Sequence, residues 1–386
     1  MNSLAHKTPK VGLALSGGAV RGIAHIGVLR ALEEESIPID VIAGTSAGAF
    51  VGACYAKERN MALLEETVLG VDWKKLVRLF DLNLISLGKG FIHGQNIKSV
   101  LLSCIGDVEF EDLKIPFAVV ATDAQSMEEI VINKGSVVEA VRASISMPVI
   151  FTPVKWGDRF LIDGGVVNPL PVNVVRNMGA EVVIAVNVLA IAQPKKREKL
   201  VEKRVETKLA PSLVSTHVSV VNKRIDNLLR KHRDKIRIFD ELCCVAEKIY
   251  TGRGKIDRRT PNIFDVLTQV IHAMEYERMR LAIKAADIVI SPDISDIGTF
   301  EFHKGEEAIA RGYRAVKGVL PQLQGMIRCS YDASKELAQN YRRAMYYGNP
   351  GVSVKPKAPF VPVGLIRVLQ MLDHVRALLD EIGGQE

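Results

Sequence analysis

Short apolar runs alternate with amphipathic stretches through the first half of the chain. Residues 10–16 (K-V-G-L-A-L-S) carry an unbroken apolar run at 11–15, the pattern of a strand covered on both faces. A glycine-rich segment follows, and then residues 23–33, where Ile23, Ile26, Leu29 and Leu32 recur at helical spacing. A short connection through Pro38 leads to a second apolar run at 41–43, and a small-residue helix is expected from Ser46 to about Lys57. Strand, helix, strand, helix in such quick succession predicts right-handed crossovers and a mainly parallel sheet. Binding sites in sheets of this kind lie at the carboxyl ends of the strands.

Beyond this start, residues 60–106 read as mainly helical, with a loop at Gly88-Lys89-Gly90. Further strands are expected at 115–123, 130–133, 159–162, 181–188 and 287–292. Helices are expected from Val137 to a stop at Pro148, over 261–286, and after Gly305. Ile263, Val266, Leu267, Val270 and Met274 fall on one side of the 261–286 helix. After Leu323 the composition shifts to a polar helix at 331–347, a linker at 348–362 with four prolines, and an amphipathic helix at 364–382. The apolar stripe of that last helix must be covered by the domain itself, by a second protomer or by a membrane surface.

The 386 residues suit one α/β domain with additions: a tail at 1–9, a domain at 10–325 and a helical extension at 326–386. Apolar residues make up 48% and charged residues 25%, enough for a large core and against general disorder. Five cysteines, an odd number without metal-ligand spacing, fit a reducing, cytoplasmic setting. The polar N-terminus lacks a signal core, and no apolar run is long enough to span a bilayer. Net charge is +7, but residues 195–259 alone carry +10 and the rest about −3. The basicity therefore belongs to a helical insertion at about 191–260. It reads either as a solvated helical surface or as a surface held near anionic lipid headgroups. Nucleic acid is not expected, because aromatic residues that stack on bases are nearly absent there.

Chemistry concentrates at the two strand–helix junctions. Gly44-Thr45-Ser46-Ala47-Gly48 is G-x-S-x-G between a strand and a helix, the context of a nucleophile elbow; a tight structural turn is the alternative. The earlier Gly17-Gly18-Ala19-Val20-Arg21-Gly22 lacks the Gly-Lys-Ser/Thr ending of a Walker A loop, and its third position is Ala19, against a dinucleotide fingerprint. A row of backbone N–H groups at a helix N-terminus also suits an oxyanion hole. Asp123 ends a strand and reads as a turn residue, and His93 sits in a Gly-flanked turn. Asp163-Gly164-Gly165 follows a short strand; its carboxylate is either a turn residue or a base. His272 and His303 are the late histidines open to a triad role.

The run L-S-G-G-A-V-R-G-I-A-H-I-G-V-L, followed by G-T-S-A-G-A, resembles the patatin-like phospholipase family, and within it the bacterial members and the catalytic domain of neuropathy target esterase. The resemblance implies a three-layer α/β/α fold and a Ser-Asp dyad without a catalytic histidine. It places Ser46 as nucleophile, Asp163 as base and Gly17, Gly18 and Ala19 as oxyanion donors. Arg21, Gly22, Gly44, Gly48, Gly164 and Gly165 support these motifs. Ala19 stands where the family often has glycine, which alters loop shape but keeps the N–H. The serines of Ala143-Ser144-Ile145-Ser146-Met147-Pro148 are expected to bond and pack beside the site. The resemblance weakens after residue 190. The function implied is hydrolysis of carboxylic esters of phospholipids or lysophospholipids, with no cofactor or metal. A thioesterase or acyltransferase on the same dyad, and a non-catalytic lipid-binding regulator, are the alternatives. A peripheral anionic membrane surface and self-association through the 364–382 helix are the partner expectations.

Overall fold

The computed structural model describes residues 9–59, 61–70, 95–148, 151–189, 214–231, 263–298 and 301–347. His93, most of the basic insertion, the proline-bearing linker and the 364–382 helix lie outside the described residues.

Eight strands form one sheet: β1 (Val11–Leu15), β2 (Val41–Thr45), β3 (Phe117–Asp123), β4 (Glu129–Ile132), β5 (Val154–Trp156), β6 (Arg159–Asp163), β7 (Val182–Val186) and β8 (Ile288–Ile290). Their order is β5-β6-β3-β2-β1-β7-β8, with β4 also paired to β3. The neighbours from β3 through β2, β1 and β7 to β8 are parallel. β4, β5 and β6 join antiparallel.

Both faces of the sheet are covered, and strand periodicity shows why. Val11, Leu13 and Leu15 of β1 enter one core, and Ala14 enters the other. Phe117, Val119 and Ala121 of β3 alternate in the same way with Ala118 and Val120. The first core is closed by α1 (Ala24–Glu34), α2 (Ala47–Glu58), α5 (Val137–Ser144) and the start of α9 (Gly305–Tyr347). The second is closed by α6 (Val172–Asn177) and the end of α8 (Ile263–Ile283). The sheet presents small residues there, Ala14, Ala43, Ala118 and Ala185, so that α6 packs close. The result is three α/β/α layers, as the resemblance implied. Among the remaining helices, α7 (Val214–Lys231) packs on α3 (Met61–Gly70) and α4 (Gln95–Ile105).

Three details differ from the sequence reading. The 159–162 strand is one arm of a hairpin with β5, and α6 is a six-residue helix too short to show a period. α9 runs unbroken from Gly305 to Tyr347 with Pro321 inside it, so the division expected at 325/326 falls within one helix. The apolar side read for α8 is not its buried side: Val270 and Met274 are half exposed, whereas Glu275 and Met279 are buried. The inward face of α8 carries Glu275 at the cavity and Met279 in the second core.

Candidate active site

Ser46 stands between the end of β2 and the first turn of α2, with φ 53° and ψ −120°. A side chain at positive φ is strained and persists only where its surroundings enforce it. Here they do. A Cβ on Gly44 would sit 2.5 Å from the Gly48 carbonyl oxygen, and one on Gly48 would strike the backbone at Leu15 and Ser16. Only glycines let α2 start against the ends of β1 and β2, which leaves the helix N-terminus and its partial positive charge beside Ser46. The Ser46 amide donates to Ser144 Oγ at 2.8 Å, and that hydroxyl donates to Val120 O at 2.6 Å. Ser144 thus ties the turn to β3, in the supporting part expected of its segment.

Asp163, the last residue of β6, reaches the same point. Ser46 Oγ donates to Asp163 Oδ2 at 2.7 Å, across 117 residues of chain. The other carboxylate oxygen accepts from the Gly165 amide at 2.8 Å. The Asp163 backbone is held on both sides, its amide donating to Ser146 O and its carbonyl accepting from Thr122 Oγ1. A Cβ on Gly164 would strike Val120 O, so this turn needs glycine to lie against β3. Both side chains are buried, Ser46 at 8% exposure and Asp163 at 3%. Burial pushes the Asp163 carboxyl up to about 6, against the pull of the Gly165 amide and the Ser46 hydroxyl.

The glycine-rich turn closes a third side. Gly18 has φ 152°, and a 3₁₀ turn over Ala19–Ile23 follows. The Gly17 amide donates to Pro169 O at 3.0 Å. Gly17 is therefore corrected from oxyanion donor to anchor of the turn. Gly18 and Ala19 line the cavity with Ser46, and their amides make no hydrogen bond to another described residue. A Cβ on Gly22 would strike Ala47, so the turn rests on the start of α2. Behind it His25 is fully buried, with Nε2 donating to Ser16 O at 2.9 Å. Burial pushes its pKa down to about 4, so the ring is a neutral spacer.

The cavity holds about 30 Å³. Its walls are the glycine turn, Arg21, Ser46, Met147 and Leu189, with His272, Glu275 and Tyr276 from α8. His272 reaches the cavity, but the Ser46 hydroxyl bonds to Asp163 instead. His303 is exposed on the turn before α9. Asp123 caps its own turn by accepting from the Gln125 amide, with Arg159 beside it, as a turn residue does. Sequence reasoning missed Glu275 and His25. Each sits inside an otherwise helical pattern, and nothing local marks it as facing a site.

A serine at a strained strand–helix turn, bonded to a buried carboxylate at the carboxyl edge of a parallel α/β/α sheet, defines a class of proteins with a serine nucleophile elbow. Residues 13–176 match the family described as patatin-like phospholipase, and the chain is similar to proteins named neuropathy target esterase. The chain is 36% identical over 184 residues to the neuropathy target esterase sws of Drosophila melanogaster, covering 46% of this chain and 13% of that protein. It is 37% identical over 188 residues to human patatin-like phospholipase domain-containing protein 6, again covering 46% and 13%. An uncharacterized NTE family protein of Mycobacterium tuberculosis is 28% identical over 325 residues, covering 79% of this chain and 89% of its own length. The chain thus spans about an eighth of the two named animal relatives and most of the bacterial one. Among solved structures, VipD from Legionella pneumophila aligns over 78% of this chain and 92% of its own, with 11% identity and a TM-score of 0.36.

Proposed function

We propose that this protein is a serine lipid acyl hydrolase that cleaves carboxylic esters of phospholipids or lysophospholipids with a Ser46–Asp163 dyad. The observation that carries this reading is the 2.7 Å hydrogen bond between a strained serine and a buried carboxylate far away in sequence. Kinship with esterases and phospholipases of the patatin-like family supports the ester substrate.

The steps follow from these positions. Ser46 Oγ attacks the acyl carbonyl while Asp163 Oδ2 takes its proton. The negative charge of Asp163 then passes to the carbonyl oxygen, which the amides of Gly18 and Ala19 receive; each such donor lowers the barrier by about 3 kcal/mol. The proton goes to the leaving alkoxide, an acyl-Ser46 ester remains, and Asp163 next takes a proton from water for deacylation. A carboxylate near its ordinary pKa is a weak base, and the burial that raises Asp163 strengthens it.

The test is fluorophosphonate labelling beside a mixed-lipid hydrolysis assay. Wild type should label at Ser46 and release fatty acid, Ser46→Ala should do neither, and Asp163→Asn should slow both by roughly 10²- to 10⁴-fold. Undiminished hydrolysis by Ser46→Ala refutes the dyad. Release from acyl-CoA without release from glycerophospholipid redirects the reading to a thioesterase.

A further inference from the structure

The dyad does not use every ionisable group around it. Glu275, on the inward face of α8, is 8% exposed, lines the cavity with Ser46, and makes no hydrogen bond to another described residue. Its Oε1 lies 2.5 Å from where a Cβ on Gly165 would stand, and Asp163 Oδ1 lies 3.2 Å from that same point. Gly165 therefore does two things: its amide holds Asp163, and its missing side chain admits a second carboxyl to the same recess.

We propose that Glu275 is a positioning residue of the reaction: as a neutral acid it leaves Asp163 the single anionic carboxyl beside Ser46, and its ionisation shuts the site down. The inference rests on the dyad proposed above. The facing groups decide the sign. Asp163 faces Glu275 from the end of β6, Arg21 from the glycine-rich turn, and His272 from one turn earlier on α8. Burial lowers the proton affinity of His272, with Arg21 adding to the effect, so no imidazolium offsets a second carboxylate. Among the described residues, Arg21 is the one cation on the cavity wall, and burial lowers its own proton affinity. Two carboxyls in one water-poor recess titrate as a coupled pair, and the apparent values belong to the pair. Burial first, and then the charge of Asp163, push Glu275 up to about 8, while Asp163 stands at about 6. Between these values the pair holds one proton. The reaction then moves a single negative charge from Asp163 to the oxyanion and back. Above them, a second charge opposes the oxyanion where it forms.

The test is the pH dependence of wild type and Glu275→Gln on a soluble p-nitrophenyl ester, with Ser46→Ala as the blank. Wild type should give a bell with limbs near 6 and 8, falling roughly tenfold per pH unit above the upper one. Glu275→Gln, neutral at every pH, should keep the acid limb and lose the alkaline one. A wild-type rate flat to pH 9.5, or an alkaline limb that persists unmoved in folded Glu275→Gln, overturns the proposal. If that variant does not fold, ¹³C NMR of glutamate-labelled wild type decides. A glutamate carboxyl titrating near 8 supports the proposal, and its absence overturns it. Wild type that neither labels nor hydrolyses removes the dyad reading and this inference together, whereas an active, labelled wild type without the alkaline limb removes this inference alone.

Discussion

Asp163 carries its carboxyl in a buried site, and that has a stability consequence separate from the proposed chemistry. Its pKa is raised by burial from the usual carboxylate range to about 6. The folded state therefore binds this proton more tightly than the unfolded chain does. The resulting stabilisation is complete below about pH 4 and is lost as pH rises through about 6. At neutral pH the buried charge costs roughly 1–3 kcal/mol. Asp163→Asn keeps an acceptor for the Gly165 amide and removes the charge. It should be slowed as above yet more stable than wild type by about 1–2 kcal/mol above pH 6, with the gap closing towards pH 4. Urea unfolding of both proteins at pH 7.5 and pH 4.5 checks this, and a gap independent of pH contradicts it. Ser144 makes the opposite prediction. Ser144→Ala leaves the Ser46 amide without its acceptor and should destabilise by about 1–3 kcal/mol. It should also lower kcat more than it raises KM, because the orientation of Ser46 is what suffers. Steady-state kinetics beside the unfolding curve separate the two effects. Ser46 was legible as a candidate because G-x-S-x-G sits between a strand and a helix, whereas Asp163 was singled out only by the family resemblance, since a separation of 117 positions carries no distance. The commitment of the Gly17 amide to Pro169 was not legible, since a hydrogen bond spanning 152 positions leaves no local trace.

Elements were legible where the period was strong. β1, α1, β2 and α2 lie within a residue or two of their predicted ranges, because continuous apolar runs and helical spacing are local properties. What the chain could not announce was which faces meet. α1 and α9 cross so closely that a Cβ on Gly27 would strike Ile309 O, and one on Gly312 would strike Ala24 O. In sequence these look like ordinary helix-weakening glycines. In the fold they form a reciprocal contact that brings α9 onto the helix behind the glycine-rich turn. Gly312→Ala should therefore destabilise by about 1–3 kcal/mol, although alanine is the better helix former, since overpacking outweighs propensity. A rise in melting temperature would show that α9 does not pack there. α8 teaches the same lesson in reverse: Val270 and Met274, read as core, are half exposed, while Glu275 and Met279 are buried.

At the scale of the molecule, the proposed hydrolysis of lipid esters makes a prediction about the basic surface. The cavity bounded by the described residues, about 30 Å³ beside Ser46, holds a water or two. None of the described helices is long and apolar enough to cross a membrane. A contact with lipid made by these residues is thus a surface contact, governed by charge and exposed apolar side chains. Part of the basic segment is described in α7. There Val221 and Ile225 are buried while Lys223, Arg224 and Arg230 are exposed, so the helix is fixed by its apolar side and presents cations outward. Each basic residue near an anionic membrane adds about 1 kcal/mol, and that attraction fades within a Debye length. Binding to vesicles containing phosphatidylserine should therefore weaken at least tenfold between 50 mM and 300 mM salt, with little binding to neutral phosphatidylcholine vesicles at either salt. Lys223→Ala with Arg224→Ala should weaken it by about 2 kcal/mol, roughly thirtyfold, while leaving hydrolysis of a soluble ester unchanged. Co-sedimentation across the salt series reads this directly. Salt-independent binding, or equal binding to neutral vesicles, would leave the basic face a solvated surface and shift the lipid contact to the exposed apolar side of α8.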